Sequence, residues 1–249
     1  MLEREDYLEA ARACADFVWE ELRDAGGNLL RTYRDGRASL GAYLEDHAFG
    51  LEALLTLYEA TFESRWFDRA RTLADTMLAR FGDPERGGFF STAEDHEPLI
   101  ARRKEIGDHP IPSGNSSAAL GLLRLAALTG ERRYEQQAES AIRLFAKTAT
   151  RHPDSFAHLL RAVDFQLSPT KEVALIGDDV TTLSRVVRAK LRPHLVLAGG
   201  PEGSKLPELL KDRPMVEGRP TAYVCERFAC QAPVTDPQQL DDLLWKDSP

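Results

Sequence analysis

A self-similarity at an offset of 68 residues constrains this chain more than any other feature. Thr61, Glu63, Arg65, Trp66 and Ala70 recur as Thr129, Glu131, Arg133, Tyr134 and Ala138, and Leu54 and Leu57 recur as Leu122 and Leu125. On both sides of each match the apolar residues are spaced near 3.6, so each unit reads as two helices joined by a short turn. The second helix of a unit opens on an aromatic residue with Ala four places later. Tyr7 and Ala11 repeat that signature in the opening segment, which therefore reads as a second helix lacking its first partner. A helical hairpin cannot bury both its faces alone, so such units need neighbours on each side. The chain is accordingly expected to begin in mid-repeat and to be the C-terminal portion of a longer protein. The alternative is a short helical array capped by its first helix.

Residues 1–168 form the helical region. Helices are predicted over about residues 3–23, from Tyr43, from Trp66, from Ser113, from Arg133 and from Pro153. Between units lie two excursions marked by glycine pairs, 26–33 and 87–92, each predicted as a short strand after a turn. Residues 171–249 alternate differently. Strand candidates at 173–176, 195–198 and 222–225 are separated by helices over about 180–191 and 207–211, and a helix from Asp236 closes the chain. This βαβ order predicts parallel pairing in a small α/β unit. The predicted fold class is mainly α, with helical hairpins followed by a small α/β unit.

Two polar clusters fall at equivalent places in the repeat. Glu45, Asp46 and His47 open one first helix. Under the offset Glu45 falls on Ser113 and His47 on Asn115, which open the next. The segment before the second cluster, Arg102-Arg103-Lys104-Glu105-Ile106-Gly107-Asp108, adds cations and carboxylates. Helix N-termini favour anions and oxygen ligands, so two such ends side by side can orient a hydroxyl-rich or anionic ligand by charge-assisted hydrogen bonds. Helix capping by Asp46, Ser113 or Asn115, with His47 as a satisfied core residue, is the competing reading. A Glu or Asp here serves as general acid or base only where burial raises its pKa.

Other classes are poorly supported. The net charge of -8 argues against a nucleic-acid partner. No apolar run is long enough to span a bilayer, and the acidic first residues predict no signal peptide. Three cysteines make no disulfide framework and fit a reducing cytoplasm. Cys225 and Cys230, five apart, lack the further ligands of a metal site and the spacing of a Cys-x-x-Cys pair. They read as structural thiols, with a reversible disulfide as the lesser option. Gly177-Asp178-Asp179 lacks the spacing and lysine of a phosphate loop. No cofactor or metal is expected.

Several stretches, in order along the chain, resemble the YyaL-type thioredoxin-domain-containing proteins. They are Leu29-Leu30-Arg31-Thr32-Tyr33, Leu44-Glu45-Asp46-His47-Ala48, Gly87-Gly88-Phe89-Phe90-Ser91-Thr92, Arg103-Lys104-Glu105 with Asp108, Pro112-Ser113-Gly114-Asn115-Ser116, and Ala222-Tyr223-Val224-Cys225 through Cys230-Gln231-Ala232-Pro233. The resemblance implies an N-terminal thioredoxin-like domain followed by an (α/α) toroid like those of N-acylglucosamine 2-epimerase and the six-hairpin glycosidases. This chain would then hold a partial (α/α) toroid in residues 1–168 and an α/β subdomain in 171–249, without the thioredoxin-like region and the early hairpins. His47 departs from the Tyr more common in the family. The resemblance names a fold better than a reaction.

The expected function is a carbohydrate-active toroid, isomerase/epimerase-like or hydrolase-like. His47, Glu105 and Asp108 are the expected proton-transfer groups. Glu45, Asp46, Arg103, Lys104, Ser113 and Asn115 are the expected substrate-binding groups. The alternative is a non-catalytic binding module attached to a redox domain. An incomplete ring would also expose apolar surface around Val18, Trp19 and Leu22 on the opening helix.

Overall fold

The 68-residue repeat is reproduced in a computed structural model that describes residues 4–95 and 101–245. Helix α2 (Leu44–Thr61) turns into α3 (Ser64–Phe81), and α4 (Gly114–Thr129) turns into α5 (Arg132–Arg151). The two turns share the same short-range hydrogen bonds. Thr61 Oγ1 donates to Leu57 O at 2.8 Å and Thr129 Oγ1 to Leu125 O at 2.9 Å. The same hydroxyls accept from Glu63 N and Glu131 N. Arg65 Nε and Arg133 Nε each clamp the Glu two residues back, at 2.9 and 2.6 Å. Phe62 and Gly130 take the left-handed conformation that ends each first helix, with φ of 59° and 71°.

Helices α2, α4 and α6 (Ala157–Leu167) lie side by side as an inner layer, with α3 outside α2 and α5 outside α4. This is a partial (α/α) toroid. Burial follows position. The outer helices bury one stripe each, Trp66, Ala70, Leu73, Met77 and Phe81 in α3 and Tyr134, Ala138, Ile142 and Phe145 in α5. Helix α4, in the middle, is buried at every position from Gly114 to Leu123. Gly121 allows its close approach to α2, since a Cβ there would lie 2.8 Å from Leu51.

Helix α1 (Glu5–Glu21) occupies the place of an outer helix before α2. Its Arg12 reaches Glu63 in the first turn at 2.7 Å, as Arg71 of α3 reaches Glu131 in the second. It has no buried residue. Tyr7, Phe17 and Val18 are exposed, as expected for Val18. Trp19 and Leu22 are instead half-buried, with the Trp19 ring beneath the guanidinium groups of Arg23 and Arg69.

The two excursions differ from each other. The first is an antiparallel hairpin of β1 (Leu30–Arg34) and β2 (Arg37–Gly41), turned by Asp35 and Gly36 with φ of 51° and 77°. The second, predicted as a strand, is a loop with a single bridge between Gly82 and Phe89. A side chain, Asn115, takes both backbone groups of Phe89 and leaves none for a ladder.

In the tail, β3 (Lys171–Ile176), β4 (Leu195–Gly200), β5 (Thr221–Glu226) and β6 (Ala229–Cys230) form one sheet in the order β4-β3-β5-β6. Strands β3 and β4 are parallel across α7 (Thr181–Arg188), as expected. Strand β5 is antiparallel to β3, because the connection from β4 carries only a single 3₁₀ turn, Glu208–Leu210, and no crossover helix. One face of the sheet, with Ala174, Ile176, Val196, Ala198, Tyr223 and Cys225, joins the helical core. The other face packs on α7 and α8 (Pro237–Trp245). Covered on both faces, β3 is buried along its whole length. The pair Cys225 and Cys230, read as structural thiols with a disulfide as the lesser option, is a disulfide. The β5–β6 hairpin sets the two residues directly opposite each other, which their spacing alone does not reveal. No helix among the described residues is long and apolar enough to cross a membrane.

Candidate functional site

The two predicted clusters do meet. The N-terminus of α4 lies against that of α2, where a Cβ on Gly114 would stand 3.0 Å from Leu44 and 3.1 Å from Glu45 N. Most of the polar groups there are taken up by backbone. Asp46 accepts from Tyr43 N at 2.8 Å, and Arg31 of β1 spans Asp46 and Glu45 at 2.9 and 2.7 Å. His47 is buried, and its Nδ1 donates to Tyr43 O at 2.9 Å. Burial lowers its pKa, so the imidazole is neutral. Its Nε2 has no hydrogen-bond partner among the described residues, and its ring packs on Phe81.

Ser113 caps α4, accepting from Ser116 N at 3.1 Å. Asn115, fully buried, clamps Phe89 through N and O at 2.8 and 2.9 Å. Lys104 forms a nearly buried ion pair with Asp83 at 2.7 Å and also donates to Gly87 O. Asp108 bridges two helix starts, accepting from Ser113 N at 2.9 Å and from His158 N at 2.8 Å. Burial opposes its ionisation, but the donors from Ser113, Ser116, His158 and Leu159 outweigh burial and hold its pKa below the usual value. Two residues of the predicted set differ. The half-buried Glu105 makes no hydrogen bond or ion pair among the described residues, and the exposed Arg103 side chain makes none either.

A third cluster joins the three inner helices. Glu52 of α2 accepts from Ser117 Oγ of α4 and from His158 Nε2 of α6, the latter at 2.9 Å. Burial works against the Glu52 carboxylate, yet bonds from His158 and Ser117 and the charge of Arg124 leave its pKa lowered. In the neutral form of the ring, an ionised Glu52 holds the His158 proton on Nε2 and leaves the lone pair on Nδ1. Arg161, exposed one turn along α6, faces that Nδ1 at 3.3 Å. Farther along α4 and α2, Arg124 pairs with Glu59 at 2.9 Å. Three adjacent helices thus present an oriented imidazole, a carboxylate and guanidinium groups. Among the described residues no group of three or more His, Cys, Asp or Glu could hold a metal ion.

Sequence reasoning missed Glu52, Ser117 and His158. Glu52 and Ser117 are 65 residues apart and Glu52 and His158 are 106 apart, so no local spacing joins them. The one signal present was His158 standing beside the apolar stripe of Leu159 and Ala162 in its helix.

No family model matches the chain. The chain is similar to spermatogenesis-associated protein 20 of Homo sapiens, with 35% identity over 250 residues, covering 92% of this chain and 32% of that protein. The Mus musculus protein is 36% identical over 260 residues, covering 96% and 33%. An uncharacterized protein of Caenorhabditis elegans is 26% identical, covering 98% and 35%. The chain is therefore homologous to spermatogenesis-associated protein 20 and spans about a third of the length of these relatives. Among solved structures, cellobiose 2-epimerases from Spirochaeta thermophila DSM 6192 and Bacillus thermoamylovorans B4167 each match with a TM-score of 0.47. Their identities are 24% and 19%, over 58% of this chain and 38% and 39% of theirs.

Proposed function

We propose that this chain is part of a cytoplasmic YyaL-type protein, a thioredoxin-like domain followed by a toroid, and that the toroid acts on a carbohydrate or similar hydroxyl-rich molecule by proton transfer. The observation that carries this reading is the convergence of Glu52, Ser117 and His158 from three inner helices. Epimerisation or isomerisation of an open-chain sugar requires a base to take the proton beside the carbonyl and an acid to return one. His158 Nδ1, which accepts from Arg161 Nη1 in the absence of substrate, is the base once a sugar oxygen draws Arg161 away, and Glu52 positions the ring through Nε2. Ser117 supports Glu52. Glu105, whose carboxylate has no partner among the described residues, is the second proton-transfer group. Arg103 and Arg161 orient hydroxyls or the carbonyl oxygen.

The test is solvent exchange. Aldoses and reducing disaccharides are incubated with the protein in D₂O, and loss of the C2 proton is followed by NMR. Exchange is expected for at least one sugar, with His158→Gln lowering it by roughly 10²–10⁴-fold. No exchange, and no perturbation of the His158 resonances by any sugar, would overturn the proposal. Asp108, Ser113 and Asn115 are engaged with backbone, which favours a second reading, a non-catalytic binding module. Sugar binding without exchange selects that reading.

A further inference from the structure

We propose that Cys225 and Cys230 form a thiol–disulfide exchange site, served by Arg213 and reduced by a dithiol. Three observations converge on it. The bonded pair spans the edge hairpin β5–β6, with Cys225 1% exposed and Cys230 open to solvent. A thiolate from outside therefore reaches one sulfur and not the other. Arg213 directs Nη2 at both sulfurs, 3.1 Å from Cys230 Sγ and 3.6 Å from Cys225 Sγ. Among the described residues its other contacts are few: Nη1 donates to Lys211 O, the guanidinium stands over the Tyr223 ring at 5.8 Å, Nε is buried without a hydrogen-bond partner, and no ion pair is formed. A neutral disulfide is a weak acceptor for a guanidinium. A thiolate is a strong one, as is the three-sulfur transition state that carries its charge. The site is thus more complementary to the reacting and reduced forms than to the oxidised form it holds.

The chemistry balances with a dithiol alone. One donor thiolate attacks Cys230 Sγ, a new sulfur–sulfur bond forms, and the Cys225–Cys230 bond breaks. The electron pair departs on Cys225 Sγ, next to Arg213. The second donor thiolate then attacks the donor's own sulfur in the mixed disulfide and expels Cys230 as a thiolate facing Arg213 Nη2. The donor leaves as a disulfide, two electrons richer cysteines remain, and the two protons of the donor thiols are available to them. A cleft of about 950 Å³ lies beside the hairpin turn, lined by Glu226, Arg227 and Phe228 but by neither cysteine; the donor's access rests on the exposure of Cys230 itself.

Dithiothreitol is the probe, applied to the folded chain without denaturant. Intact mass after maleimide labelling counts thiols. Two thiols beyond the exposed Cys14 are expected. Arg213→Gln slows reduction about tenfold by withdrawing leaving-group stabilisation, and Arg213→Lys restores most of the rate. A second measurement is independent of Arg213 variants. In Cys225→Ser the remaining Cys230 forms a mixed disulfide with oxidised glutathione, while in Cys230→Ser the buried Cys225 does not. A pair that stays oxidised until the protein unfolds, an Arg213→Gln rate equal to wild type, or equal trapping in the two cysteine variants would each overturn the proposal.

Discussion

Residue by residue, the polar run before α4 is half-buried to exposed, and Lys104 and Asp108 tie it into the fold. Lys104 and the donors Arg86 N and Glu85 N hold the Asp83 carboxyl at about 2, with Lys104 the largest influence. Its folded pKa is below its unfolded value of 3.8, so its stabilisation is complete above 3.8 and is lost as pH falls towards 2. Acid unfolding followed by circular dichroism will show Asp83→Asn less stable at neutral pH and closer to wild type near pH 2. Parallel wild-type and mutant curves would contradict the ion pair with Lys104. Asn115 gives a second residue-scale prediction. Asn115→Ala leaves two backbone groups of Phe89 unpaired in the core and costs about 2–4 kcal/mol in urea unfolding. A loss under about 0.5 kcal/mol would mean that the loop does not depend on this clamp.

At the scale of elements, the helices and their turns were legible because the code is local. Thr61 and Thr129, Glu63 and Glu131, Arg65 and Arg133 each act within a few residues, and the same letters make the same bonds. The segment 87–92 was misread as a strand because both backbone groups of Phe89 are claimed by Asn115, 26 residues away. The direction of β5 and the pairing of Cys225 with Cys230 depend on how the chain returns to the sheet. The cluster of Glu52, Ser117 and His158 was illegible for a related reason: it exists only once three helices are laid side by side. Close approach between elements is itself testable. A Cβ on Gly199 would lie 2.7 Å from the Phe62 ring, where the α2–α3 turn docks on β4. Gly199→Ala is expected to cost about 1–3 kcal/mol, measured as a lower urea midpoint. An unchanged midpoint would show that the turn does not bear on the sheet.

As a whole molecule, the chain couples a helical layer to a sheet through one apolar core. Arg188 of α7 caps the end of α2 through Glu59 O and Ala60 O, and Tyr58 approaches Gly199 N. Helix and sheet are therefore expected to unfold together, with coincident far-ultraviolet and tryptophan transitions for residues outside α1. Separated transitions would show two independently stable units. Across the inner helices α2, α4 and α6, His158 is oriented by Glu52, and the proposed proton transfer is assigned there. The direct test of that assignment compares two histidines in the C2-exchange assay. His158→Gln is predicted to lose at least about 10²-fold in exchange rate while keeping the wild-type unfolding midpoint. His47→Gln, in the core, is predicted to lower the midpoint and leave the exchange rate per folded molecule unchanged. An exchange rate unaffected by His158→Gln, or abolished by His47→Gln in folded protein, would contradict the account.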